Sequence, residues 1–172
     1  SRSVVELTLP MSVRMEERPS GGVGVALGPL RLAASPGEVW TRLPDSPGLG
    51  DYEVRPRRNW NAGLAVQPET IAAVAMVERI GVGSPPWGLT TGAPPIGIEG
   101  VPLRVWLPGR RVKGWRINDD DVPPPPALEQ AQTEPDVYIP LVPYGSTRLR
   151  IAEFPNAEPS ALGQMTLDQA PE

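Results

Sequence analysis

The sequence predicts an all-β protein, an antiparallel β-sandwich or jelly roll of about eight to eleven short strands with long Pro/Gly-rich loops. Three observations predict it. Proline accounts for 24 of 172 residues and glycine for 18, which leaves little room for a long helix. Apolar and polar residues alternate in short runs, each closed by Pro, Gly or Ser. Leu, Ile, Val and Phe still exceed the roughly 20% below which chains tend to stay disordered. A chain of this length can bury roughly 70% of its unfolded surface, so a core forms without staples.

The elements follow in order. Val4 to Pro10 alternates Val5, Leu7 and Leu9 against Glu6 and Thr8, the pattern of a half-buried strand that Pro10 ends. Ser12 to Glu16 starts another, with Val13 and Met15 on one side. Arg18-Pro19-Ser20-Gly21-Gly22 is turn chemistry, and Val23 to Leu27 and Leu30 to Ala34 are extended runs parted at Gly28-Pro29. From Ser35 to Arg58 the chain reads as loop, with Trp40 and Leu43 expected to pin it to the body. Asn59 to Val66 holds Trp60-Asn61 and then a short apolar run. Pro68 to Ile80 suits two states. Pro68, Glu69 and the alanines fit a helix start, whereas Ile71, Ala73, Ala75 and Val77 alternate as in a strand. Gly81 to Gly100 is a connector carrying Trp87.

Val101 to Leu107 and Arg111 to Ile117 read as strands joined by a compact Pro108-Gly109-Arg110 turn. Asn118 to Pro126, acidic and then proline-rich, reads as an extended exposed loop. Tyr138 to Val142 and Thr147 to Ile151 read as a β-hairpin around Pro143, Gly145 and Ser146. Its second arm sets Thr147, Leu149 and Ile151 opposite Arg148 and Arg150. Pro140 cannot donate to a ladder, so its strand is expected at an edge or at a bulge. After Pro155 little remains to bury. The expected division is one domain over residues 1–155 and a flexible tail over 156–172.

Composition excludes much chemistry. The chain has no cysteine and no histidine, so it has no disulfide, no thiolate nucleophile, no imidazole base and neither of the commonest zinc ligands. Without thiols the redox compartment cannot be read. Net charge is −4 with both signs interspersed, no basic stripe marks a nucleic-acid partner, and no apolar run reaches a membrane span. Ser1-Arg2-Ser3 leads straight into a strand-like run with no signal peptide and no initiating methionine, which fits a domain cut from something longer.

Asp119-Asp120-Asp121 offers carboxylates to calcium, but no further ligand follows at a useful spacing, and a solvated turn is the favoured reading; no metal or cofactor is expected. Glu78, Glu99, Glu129, Glu134 and Glu153 show no spacing that sets two carboxyl groups across a glycosidic bond. Tyr52, Trp60 and Trp87 would make a sugar-stacking platform if exposed together; with so few aromatics, core and loop anchors are favoured. Asn61 after Trp60 would bond a backbone and pin a loop, or face a neighbouring domain. Gly21-Gly22-Val23-Gly24 precedes a strand and lacks the third glycine of a dinucleotide motif. Arg55, Arg57 and Arg58 form a small basic patch that would meet an acidic surface or stay solvated.

Several separated stretches resemble the C-terminal β-sandwich region of glycoside hydrolase family 127, the β-L-arabinofuranosidase-like enzymes. Leu9-Pro10-Met11 resembles a strand-ending Leu-Pro-Met, and Leu27-Gly28-Pro29-Leu30 an Arg-Gly-Pro-Leu segment, with leucine where arginine is usual. Tyr52-Glu53-Val54-Arg55-Pro56 followed by Trp60-Asn61 resembles Trp-Glu-Val-Tyr-Pro then Pro-Trp-Asn. Val112 to Trp115 resembles the strand around Ile-Pro-X-Trp, and Pro143 to Pro155 the closing Pro-Tyr-Gly, Leu-Arg-Ile and Phe-Pro elements. The resemblance runs from about Val4 to Pro155 and implies a strand at Pro68 to Ile80. The family's catalysis lies on an N-terminal (α/α)6 barrel with a cysteine nucleophile beside a zinc site, and no position here carries those cysteines. The resemblance therefore implies a non-catalytic accessory domain whose partner is such a barrel. The alternative is a free-standing carbohydrate-binding module for an arabinose-containing plant glycan, using Tyr52, Trp60, Asn61 and Trp87. A third reading is an independent hydrolase working with carboxylates alone.

Overall fold

The computed structural model describes residues 3–8, 10–45, 51–80, 101–118, 122–127 and 132–157. The fold is all-β and sandwich-like, and every strand pairs antiparallel with its neighbours. β1 (Val13–Glu17), β2 (Val23–Leu27) and β3 (Leu30–Ala34) form a meander. β4 (Glu38–Arg42) and β5 (Tyr52–Pro56) form a separate two-stranded sheet. β6 (Ala62–Leu64) and β7 (Met76–Arg79) lie along one edge of the long β8 (Leu103–Lys113), and β9 (Gln132–Pro143) lies along the other. The main sheet runs β1-β2-β3-β9-β8-β6, with β7 also on β8.

Inward positions recur with the strand period of two. Val23, Val25 and Leu27 of β2 join Val105 and Leu107 of β8 and Ile139 and Leu141 of β9 in one core, which Leu32, Trp60, Leu64, Ile71, Trp115 and Phe154 complete. The centre of the sheet is buried on its other face as well: Ala26, Ala33, Trp106 and Val142 are each almost fully covered. Trp106 donates its indole N–H to Glu78 at 3.3 Å, beneath the Arg104 guanidinium, which stands 5.2 Å from its ring.

A strap after the sheet closes the fold. Val23 and Phe154 exchange two backbone bonds of 2.8 and 2.9 Å, and Ala34 N–H donates to Ile151 O at 2.7 Å. One residue on from Phe154, Pro155 O accepts from Leu64 N–H at 2.8 Å, and Ala157 N–H donates to Leu64 O at 2.6 Å. β2 and β6 stand four strand spacings apart in sheet order, about 19 Å if the sheet were flat; one strap between them spans about 10 Å. The sheet must therefore curl. Asn156 and Ala157 take part in this closure, and the residues after them lie outside those described.

The structure corrects several expectations. Val4 to Thr8 forms no strand, because its alternation finds no partner among the described residues. The Pro108-Gly109-Arg110 turn does not exist: β8 runs straight through it. Pro140 does not mark an edge, since β9 lies between β3 and β8. One geometric rule explains both prolines. In an antiparallel strand a residue's N–H and C=O point to the same neighbour. Pro140 O accepts from Ser35 N–H at 2.8 Å, so its missing donor faces β3 just past the last pair, Ala34 with Leu141. Pro108 O accepts from Ala65 N–H at 3.0 Å, so its missing donor faces the gap between β6 and β7. Neither proline removes a ladder bond.

The hairpin after β9 is also corrected. Tyr144–Ser146 forms one 3₁₀ turn, and Thr147 to Ile151 keeps its alternating burial without forming a strand. Arg150 has φ +52°, a left-handed conformation through which an extended run cannot continue, and its guanidinium lies 5.4 Å from the Tyr144 ring. The amides of Arg148 and Leu149 turn to the Glu38 carboxylate at 2.6 and 3.4 Å. Pro68 to Ile80 divides between its two readings, with one α-helical turn, α1 (Ile71–Val74), and then β7. The region read as loop after Ser35 contains the β4–β5 pair; the Leu43 side chain is exposed while its backbone N–H donates to Asp51 O at 2.9 Å, and Trp40 packs edge-to-face on Tyr52 at 5.9 Å.

Candidate functional site

An open cleft of about 410 Å³ lies next to Trp60. Two stretches distant in sequence build it. Asn61 locks them together: its backbone O accepts from Val112 N–H at 2.8 Å, and its side-chain amide donates to Val112 O at 2.9 Å. Just after β8, Gly114 takes φ +90°, a turn that brings Trp115 back against Trp60. Their rings meet edge-to-face at 4.7 Å, and the Trp115 indole N–H donates to Pro123 O at 3.1 Å. Arg57, Arg58, Asn59 and Arg116 stand exposed around this pair.

The expected site residues fall in different places. Trp60 is only 9% exposed and belongs to the core, so its face is not open for stacking a sugar. Asn61 spends its amide donor on the β8 backbone. Tyr52 is exposed on β5, in the other sheet, paired with Trp40. Trp87 lies outside the described residues. Sequence reading missed Trp115 and Arg116 as partners of this site. The signal was the cluster of basic residues around a tryptophan in Arg110-Arg111-Val112-Lys113-Gly114-Trp115-Arg116.

The acidic candidates are engaged separately. Glu78 bonds Arg104 at 3.2 Å as well as Trp106, and Glu153 accepts from the Ser20 hydroxyl at 2.6 Å. Glu99, Glu129 and Asp119 to Asp121 lie outside the described residues, as does the Glu134 side chain. Among the described residues no three of His, Cys, Asp and Glu gather where they could hold a metal. On the exposed edge of β5, Arg55 bonds Glu53 and holds its carboxyl below the ordinary carboxylate value.

A second groove, of about 620 Å³, is apolar. Met11, Leu27, Val77, Pro102 and Leu103 line it with Arg79. It lies where β7 and β8 meet the end of β2, close to the segment that leads into β1. No helix among the described residues is long and apolar enough to cross a membrane. The chain matches no protein-family model and no curated protein.

Proposed function

We propose that this chain is a non-catalytic β-domain that supports an (α/α)6 catalytic barrel of the family 127 type. The observation that carries the reading is apolar surface left uncovered. Val4, Val5 and Leu7 are 85%, 91% and 77% exposed, in an alternating run of strand-forming residues with no partner strand among the described residues. Met11 and Val77, also exposed, line the apolar groove. Apolar surface of this kind gains about 25 cal/mol per Å² when covered, and contiguous patches mark contact surfaces. The motifs shared with the family also fall on positions that hold the domain together: Trp60 and Trp115 in the core, Phe154 and Pro155 in the closing strap.

The test begins with the coding region upstream of Ser1, expected to encode a long helical body rich in Cys, His and Glu. Hydrogen exchange at Val4 to Thr8 is then compared between the isolated chain and the joined protein. Slower exchange in the joined protein supports the reading. A coding region without such a body, or turnover of β-L-arabinofuranosides by the purified chain alone, refutes it.

Of the candidate aromatics for the alternative, a carbohydrate-binding module, Tyr52 is exposed. Calorimetric titration with arabinan, wild type against Tyr52→Ala, separates the two. Saturable binding lost in the variant favours the module.

A further inference from the structure

The cleft beside Trp60 has a charge pattern that the scaffold role does not use. Its rim carries Arg57, Arg58 and Arg116, and no described acidic side chain lines it. Arg57 and Arg116 make no ion pair among the described residues, whereas Arg14, Arg18, Arg55, Arg104 and Arg110 each hold a carboxylate. Arg31, Arg79, Arg111, Arg148 and Arg150 likewise have no ion pair among the described residues, so what distinguishes Arg57 and Arg116 is that both line one cleft. The arginines are also set by the fold. The reciprocal Asn61–Val112 bonds and the Trp60–Trp115 contact hold the Arg57 and Arg116 segments together, though they are far apart in sequence. Like charges held beside one concavity focus a positive potential into it.

We propose that this cleft binds the oxyanion group of a small ligand, a carboxylate or a phosphate, carried on a body about the size of a monosaccharide. The guanidinium groups supply planar forks that match either oxyanion. Asn59, exposed on the same rim, adds an amide that can donate to a hydroxyl or an anion oxygen. Trp60 and Trp115, both nearly buried, line the cleft below the exposed rim. A volume of about 410 Å³ suits a ligand of that size.

The experiment titrates the full chain at low salt with galacturonate, glucose 6-phosphate and inorganic phosphate, and with arabinose as the neutral control. Calorimetry and tryptophan fluorescence are read together, since two indoles line the cleft. At least one anionic probe is expected to saturate, with affinity falling as salt rises. Galacturonate against the two phosphates identifies which oxyanion is preferred. The Arg57→Gln/Arg116→Gln double variant should lose about tenfold in affinity or more while keeping the wild-type melting temperature. Asp119, Asp120 and Asp121 follow Arg116 in the sequence, so a variant with asparagine at all three is titrated alongside. Binding that arises only in that variant means the chain's own carboxylates satisfy the cleft, and overturns the proposal. Arabinose binding as tightly as the anions, no saturation by any anionic probe, or unchanged affinity in the arginine double variant overturns it too. None of these outcomes bears on whether a barrel lies upstream.

Discussion

Glu38 joins the two-stranded sheet to the segment after β9, and its removal tests how that join is made. One carboxylate oxygen accepts from the Thr147 hydroxyl at 2.9 Å, from Arg148 N–H at 2.6 Å and from Leu149 N–H at 3.4 Å. The other accepts from the Trp40 indole N–H at 3.0 Å. In Glu38→Ala these donors do not suffer equally. Arg148 is exposed, so water replaces its partner, and the Leu149 bond is already long. Thr147 is only 5% exposed, and its hydroxyl is stranded. An unsatisfied buried donor costs about 1–3 kcal/mol, and loss of a bond to a charged group falls in the same range. These overlap, so the expected loss is about 2–3 kcal/mol. For a domain of this size that lowers the melting temperature by roughly 5–10 °C. Glu38→Gln keeps an acceptor without the charge and should lose about half as much. In the Thr147→Val background the cost of Glu38→Ala should shrink, because no hydroxyl is left to strand. Thermal unfolding by circular dichroism measures the shifts, and hydrogen exchange at Arg148 reports the join itself. A Glu38→Ala melting temperature within 1–2 °C of wild type, or roughly 0.5 kcal/mol, with Arg148 exchange unchanged, would show that packing alone holds this segment.

Other perturbations test other parts of the fold. Gly109→Ala sets a methyl against Ile139 and 2.7 Å from Gly63 O where β6 and β9 both close on β8; about 1–3 kcal/mol should be lost in urea unfolding. Phe154→Ala empties a fully buried site in the closing strap and should cost about 3–5 kcal/mol, with faster exchange at Val23 and Leu64. Arg150→Gly relieves the left-handed backbone and gives up only an exposed contact with Tyr144, so its melting temperature should equal or exceed that of wild type. The Arg55 hydrogen bond holds the Glu53 carboxyl below its ordinary value of 4.5. Its contribution is therefore present above the unfolded carboxyl's pKa and fades as pH falls through the lowered folded value. In Arg55→Gln, the Glu53 carboxyl carbon followed by NMR should titrate closer to 4.5.

Period-two alternation made much of the sheet legible. The extended runs it marked lie close to β1, β2 and β3, and the side it gave to Val13 and Met15 is the one that faces the core. It also marked Thr147, Leu149 and Ile151 as the covered side of a segment that is not a strand. The same rule overreached at Val4 to Thr8, because alternation records which residues want cover and not whether a partner strand is within reach. Proline misled twice for the opposite reason. Its cost depends on which side the absent N–H faces, and only the paired sheet shows that Pro108 and Pro140 face gaps. Of the site, Trp60 and Asn61 could be singled out in advance, while Trp115 and Arg116 could not be joined to them until Asn61 was seen bonded to Val112.

By itself, the order of residues determined that this protein is built of β-strands and that it carries no thiol or imidazole to do chemistry with. Those follow from side-chain type and local spacing, which no later contact can alter. Only the tertiary structure decided that the sheet curls shut through Phe154 and Pro155, that β8 continues through Pro108-Gly109-Arg110, and that Arg57 and Arg116 share a cleft with two tryptophans. Each of these depends on hydrogen bonds between residues far apart in the chain, and local propensity carries no information about which distant partner will be there.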